Sequence, residues 1–181
     1  DLFLDIGCGT GISLLEAENL GAKAFGLEAD PNVKLIGKNL NLNIFQGKLE
    51  ESPFKDLNFN LIVLNQVIEH IPEPDILLKK LTTKLKPNGL IIISFPNVNS
   101  FWRFIFRERW INWHVPYHLH HFKEKNFSKL LKKCGFQIIK KKAITPNIWS
   151  LMQIRKILNP IQIGEKNKQW MTYNSINSIN K

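Results

Sequence analysis

Long apolar runs are missing from this sequence. No stretch approaches the eighteen or so consecutive apolar residues that a membrane-spanning helix needs, which excludes an ordinary helical span. Cysteine is scarce, and Cys8 and Cys134 stand in different motifs with no metal-ligand spacing. A disulfide framework and a cysteine-ligated metal are therefore not expected, and the default compartment is the reducing cytoplasm. An initiating Met is also lacking. The chain opens on Asp1, and its second residue already begins an apolar strand, so we expect a lost N-terminal segment; no signal peptide is visible. Internal repeats are absent. Arginine is rare, supplying only four of the 25 basic residues, while Lys, Asn and Ile are abundant. The formal charge of +10 would invite a phosphate-rich partner, but this composition reads instead as the drift of an AT-rich genome.

What is present is a chain of 181 residues, 44% hydrophobic and 22% charged, which suits one α/β domain with a buried core. Short apolar runs alternate with helical patterns, as βαβ units of a parallel sheet do. Strands are expected at Leu2–Ile6, Ala22–Glu28, Asn43–Gln46, Leu61–Leu64, Leu90–Phe95 and Phe136–Ile144. Helices are expected at Ile12–Leu20, Pro31–Asn39, Asp75–Leu85 and Glu124–Cys134, with Gly21 and Gly135 closing the first and last. In the third helix, Leu77, Leu81 and Leu85 fall on one face. Pro87-Asn88-Gly89 reads as the turn into the fifth strand. Two stretches break the alternation: residues 97–122, aromatic and rich in His and Arg, and a tail over 145–181 without strand pattern.

The turn Leu4-Asp5-Ile6-Gly7-Cys8-Gly9-Thr10-Gly11 joins a strand to a helix. Glycines there admit positive φ and let the backbone approach a ligand, which also meets the helix N-terminus. Dinucleotide enzymes use a related turn, so the glycines alone decide little. Asp5 sharpens the reading, because its carboxylate would repel a pyrophosphate and attract an ammonium group. Glu28, seventeen residues after Gly11 at the end of the second strand, can accept hydrogen bonds from both hydroxyls of a ribose. Cys8 inside the turn reads as a small packing residue.

With these features the sequence resembles class I S-adenosylmethionine-dependent methyltransferases, most closely the branch that resembles ubiquinone-biosynthesis O-methyltransferases. The resemblance continues through Gln46-Gly47-Lys48-Leu49-Glu50, Phe59-Asn60-Leu61-Ile62, Gln66-Val67-Ile68-Glu69-His70-Ile71-Pro72 and Leu85-Lys86-Pro87-Asn88-Gly89, covering residues 1–144. It implies a Rossmann-like three-layer α/β sandwich with a mostly parallel sheet of seven strands, of which six are legible here. Residues 1–144 would be the cofactor-binding core, with 97–122 as an aromatic cap insertion. The expected cofactor is S-adenosylmethionine. Asp5, Gly7, Cys8, Gly9 and Gly11 would line it, Glu28 would hold its ribose, the Leu49 backbone would lie near the adenine, and the Asn65 backbone would meet the methionine portion. Two positions depart from the family pattern: Lys48 stands where an acid commonly meets the adenine amino group, and Asn60 replaces a frequent Asp.

Methyl transfer from a sulfonium is an in-line displacement that needs alignment and, for a hydroxyl acceptor, a base. His118 is the leading candidate, since similar proteins often show Pro-x-His before this helix; His70 beside Glu69 is the next. Quinone-pathway relatives are associated with a metal held by two acids and a His in the segment matching Gln66–His70, but Gln66 replaces the first acid, so no metal is expected. The aromatic run 101–113 reads as a cap over the acceptor pocket rather than as a membrane-surface helix. A small-molecule acceptor, either quinone-like or a cell-surface sugar, follows from the resemblance.

Other classes are disfavoured residue by residue. Base-amino nucleic-acid methyltransferases carry Asn/Asp-Pro-Pro-aromatic where this chain reads Asn65-Gln66-Val67-Ile68, and no Pro-Cys nucleophile is present. RNA oxygen methylation stays open as the alternative. A nicotinamide dehydrogenase is opposed by Asp5 and the glycine spacing, and a cofactor-binding fragment without catalysis is the remaining class.

Overall fold

The structure is a computed structural model, and it describes residues 1–158. Five parallel strands form one sheet: β1 (Leu2–Ile6), β2 (Lys23–Glu28), β3 (Ile44–Gln46), β4 (Phe59–Asn65) and β5 (Leu85–Ser94). Their spatial order is β3-β2-β1-β4-β5. The order reverses at β1, so the crevice above β1 and β4 is where an open α/β sheet takes its ligands. Register brings Asp5 beside both Gly26 and Val63. The carboxyl ends of β2, β1, β4 and β5 therefore stand in one row.

Helices α1 (Ile12–Asn19), α2 (Val33–Leu40), α3 (Pro74–Thr82) and α5 (Glu124–Lys133) follow the strands, with α4 (Phe101–Phe106) in the insertion and α6 (Asn147–Leu158) in the tail. Strand alternation sends residues to two cores. Leu4, Phe25, Leu27, Ile62 and Leu64 join Leu78, Leu81 and Phe127 on one face. Phe3, Ala24, Leu14 and Ala17 pack on the other. This is the Rossmann-like, class I architecture expected from the sequence.

Three elements differ from the sequence reading. The third helix stops at Thr82, because Leu85 pairs with Phe59 and so belongs to the sheet. Leu78 and Leu81 are its fully buried leucines, whereas Leu77 is only partly covered. β5 therefore starts before the Pro87-Asn88-Gly89 turn, which sits inside the strand as an irregularity between the Phe59 and Leu61 pairings. The strand expected at Phe136–Ile144 does not form among the described residues. Phe136 and Ile138 are half-buried and Gln137 and Ile139 exposed, so the alternation is real, but no ladder partner is present and alternation alone makes no strand. The tail, whose sequence shows no strand pattern, contains α6 within its described part. Asn60 has a structural use: its Oδ1 accepts from the Leu2 N–H at 2.8 Å and from Lys86 Nζ at 3.1 Å, tying β1, β4 and β5. No helix among the described residues is long and apolar enough to cross a membrane.

Candidate active site

The glycine turn is built as its spacing demands. Gly7 and Gly11 lie at φ 76° and 78°, in the left-handed region, and Gly9 between them at 52°. Neither outer glycine has room for a side chain: Val67 Cγ2 occupies the place a Cβ on Gly7 would need, and Leu42 Cδ1 would lie 2.7 Å from one on Gly11. The Gly7 and Cys8 N–H groups both donate to Leu27 O, at 2.7 and 3.1 Å, fixing the turn against the end of β2. Cys8 is buried, and its Sγ would lie 2.6 Å from a Cβ on Gly26, so the side chain packs inward. Burial pushes its thiol up to about 12, which leaves it inert.

Asp5 is buried with one carboxylate oxygen, Oδ2, accepting from the Ser13 hydroxyl; the other, Oδ1, has no hydrogen-bond partner. Burial raises its pKa, the Ser13 bond opposes this, and the negative charge of Glu28 adds to the rise. A half-satisfied buried carboxylate favours a cation beside it. It lines a cleft of about 370 Å³ whose other walls include Gly7, Thr10, Glu16, Val63 and Asn65. That environment suits the ammonium of a methionine moiety and opposes a pyrophosphate.

Glu28 stands one strand away. Its Oε2 accepts from the Gly9 N–H at 2.9 Å, and its Oε1 accepts from the Ala29 and Asp30 N–H groups at 2.7 and 3.2 Å. Of roughly four acceptor positions on a carboxylate, three are used. A ribose diol therefore fits when the Gly9 N–H is exchanged for a hydroxyl. Leu49 buries its side chain in the core and starts the single turn Leu49–Glu51 after β3. Asn65 ends β4, its Oδ1 accepting from the Ser94 hydroxyl, which in turn accepts from Gln66 Nε2 at 3.2 Å. Lys48 is exposed.

The acceptor-side candidates converge. Glu69 and His70 lie in a short turn, Ile68–His70, that follows β4, and the insertion brings His118 to them. The Leu119 and His120 N–H groups donate to Glu69 O at 2.9 and 3.1 Å, which clamps the two segments together. Glu69 is 1% exposed and neither carboxylate oxygen has a hydrogen-bond partner. Burial raises its pKa, with its own nearby backbone N–H and the His70 charge acting the other way. His118 Nε2 lies 4.0 Å from Glu69 Oε1, and the His118 side chain is 7% exposed. His118 Nδ1 lies 2.8 Å from Asn112 O. A carbonyl only accepts, so Nδ1 carries the proton and Nε2 turns its lone pair toward Glu69. Burial pushes the His118 pKa down to about 4, partly offset by the Asn112 bond.

His70, by contrast, is exposed. Its Nδ1 donates to Tyr117 O at 2.8 Å, leaving Nε2 as the basic nitrogen, and its ring meets that of His118 edge-on at 4.8 Å. Atoms of Glu69, His70 and His118 all lie within 4.8 Å of one another and could approach a divalent cation. Bonds of about 2.0–2.1 Å to a tetrahedral zinc would need ligand atoms roughly 3.3 Å apart, so the 4.0 Å between His118 and Glu69 would have to shorten. His120 and His121 serve structure: their Nε2 atoms donate to Pro72 O and Trp113 O at 3.2 and 3.0 Å.

The insertion begins at Asn97 and is closed at its base by Val98 N–H donating to Phe122 O at 3.1 Å. Within it Trp110 is buried, while Phe101 and Phe104 on α4 are 71% and 72% exposed. Sequence reasoning missed Ser13, Val67 and Ser94. Each acts through contacts with residues eight or more positions away in the chain, for which local spacing gives no signal.

Comparison with known proteins bears on the family and the fold. A family described as "Methyltransferase domain" matches residues 2–141. The chain is 32% identical over 99 residues to the mitochondrial ubiquinone biosynthesis O-methyltransferase of Schizosaccharomyces pombe, covering 50% of this chain and 36% of that protein. It is 31% identical over 101 residues to the ubiquinone biosynthesis O-methyltransferase of Bradyrhizobium diazoefficiens, covering 53% and 40%. The chain thus spans well under half the length of these curated relatives. Among solved structures, a SAM-dependent methyltransferase from Archaeoglobus fulgidus superposes with a TM-score of 0.62 at 20% identity, covering 91% of this chain and 82% of that one, a likeness of fold.

Proposed function

Since the chain belongs to the methyltransferase-domain family and has its class I fold, we propose that it transfers a methyl group from S-adenosylmethionine to a hydroxyl of a small molecule, either a quinone-like ring or a sugar. The observation that carries this reading is the pairing of Asp5, half-satisfied and buried beside the cleft, with Glu28 on the Gly9 N–H. The two carboxylates suit the two ends of that cofactor. Gly7, Gly9 and Gly11 would pass beneath it, Cys8 would hold the turn by packing, and the Leu49 and Asn65 backbones would flank the adenine and the methionine portion.

The cofactor's sulfonium supplies the methyl group. The protein's part is to orient the acceptor oxygen, exclude water and receive one proton. Sequence pattern favours His118 for that proton, but its basic nitrogen faces buried Glu69 and burial holds its pKa at about 4. We therefore assign the proton to Nε2 of exposed His70, with His118 and Glu69 supporting it from behind. No metal step is needed. The ubiquinone-pathway relatives favour a hydroxyl on a quinone-like ring.

Turnover with methyl-labelled S-adenosylmethionine and a catechol tests the reading. His70→Ala should keep cofactor affinity and lose roughly a hundredfold in rate, the low end for a general base. Label transfer to RNA but not to catechol or a sugar would replace the proposed acceptor class.

A further inference from the structure

α6 lies outside the residues matched by the methyltransferase family, and its mixed apolar and polar side chains give no motif. One of them is nevertheless buried: Gln153 is 3% exposed. Its Oε1 accepts from the Ile111 N–H at 2.7 Å and its Nε2 donates to Arg109 O at 2.9 Å. The two backbone partners fix the amide's orientation, because an N–H only donates and a carbonyl only accepts. The side chain thereby pairs with 109–111 as a neighbouring strand would.

The residue after Ile111 is Asn112, whose carbonyl is the acceptor for His118 Nδ1 at 2.8 Å. Beyond it, the Trp113 carbonyl takes the His121 Nε2 proton at 3.0 Å. The Trp113 indole donates to Arg107 O at 2.7 Å, closing the loop on itself. Two hydrogen bonds joined by the Ile111–Asn112 peptide link thus lead from α6 to the imidazole beside Glu69. We infer that Gln153 is a positioning residue for the acceptor side of the site: by holding residues 109–112 it presents the Asn112 carbonyl that fixes the His118 tautomer and ring plane. This inference rests on the reading of His70, His118 and Glu69 as the acceptor side.

Two acceptors flank the single imidazole proton, the Asn112 carbonyl at Nδ1 and the Glu69 carboxyl 4.0 Å from Nε2. A neutral imidazole carries its proton on either nitrogen, and the carbonyl at Nδ1 decides which. If residues 109–112 drift, that carbonyl moves and Nε2–H competes. The edge-on contact between the His118 and His70 rings, at 4.8 Å, would transmit the loss of order to His70.

The test is long-range proton–nitrogen NMR on the full chain with labelled histidine, which reads each tautomer without any acceptor. Gln153→Met keeps the volume and removes both hydrogen bonds. His118 should then change from a pure Nδ1–H form to a mixture, and kcat should fall roughly tenfold to a hundredfold, on the scale of small misplacements. KM for S-adenosylmethionine should stay unchanged. Should Gln153→Met fail to fold, Gln153→Glu, which keeps the Ile111 bond and loses the Arg109 bond, is read against the same criterion. An unchanged His118 tautomer in a folded variant overturns the inference. A changed tautomer in Gln153→Met, with His70→Ala still active at the parent rate, keeps the positioning path and overturns the site reading instead.

Discussion

Val67 Cγ2 fills the space that a side chain on Gly7 would need, so the glycine turn and the segment leading to Glu69 and His70 are in direct contact. One packing contact therefore joins the turn proposed to hold the cofactor to the segment proposed to face the acceptor. Gly7→Ala meets both a positive φ and this methyl group. It should destabilise the fold by about 2–4 kcal/mol. Adding Val67→Ala should restore the steric part and leave the backbone part. Urea unfolding of the two variants measures the split, and equal losses in both would mean that Val67 is not the obstacle.

Glu28→Ala should weaken S-adenosylhomocysteine binding by about 1.5–3 kcal/mol, the scale of a charge-assisted hydrogen bond. The same change frees the Gly9 N–H from its partner. Calorimetry reads the affinity directly, and an unaltered value would move the ribose away from the end of β2.

Much of this arrangement was legible in the sequence, for identifiable reasons. The strand-turn-helix at Asp5–Gly11 shows in local spacing, because each glycine answers a local backbone need. Glu28 shows because one short helix and one strand, α1 and β2, carry the chain from the turn to it. The end of α3 was misplaced because Leu85 continues a helical leucine spacing while its backbone pairs with Phe59. Pattern favours His118 over His70 because it does not reveal burial: both are near Glu69, but only the structure shows which of the two is buried, and the proposal for His70 rests on that difference. Gln153 carried no signal at all, since its partners are backbone atoms 42 and 44 residues away.

Acid should erode stability through His118. Its pKa of about 4 lies below the ordinary 6.5, so below pH 6.5 the unfolded chain binds a proton that the folded chain does not. The His118 contribution is thus complete above pH 6.5 and lost as pH falls toward 4. Glu69 acts in the opposite sense, because burial raises its pKa, and its contribution is lost as pH rises through the folded value. His118→Gln, which does not titrate, isolates the first effect. Its stability relative to the parent should improve from pH 6.5 to 4, and parallel stability curves would show that His118 is not held neutral.

Chelation should leave turnover intact. Glu69, His70 and His118 are close enough to attract a cation, but the 4.0 Å separation is wide for direct ligation and the proposed proton transfer needs none. Dialysis against EDTA followed by a rate measurement checks this, and a loss of activity restored by one divalent metal would assign these residues as ligands.

Titration of the protein with S-adenosylhomocysteine and with NAD in parallel addresses the cofactor itself. Glu28 suits the ribose of either ligand, but Asp5 places a second carboxylate where one ligand would bring an ammonium and the other a pyrophosphate. S-adenosylhomocysteine should bind and NAD should give no heat. Tighter binding of NAD than of S-adenosylhomocysteine would contradict the assignment of this cleft to a methyl donor.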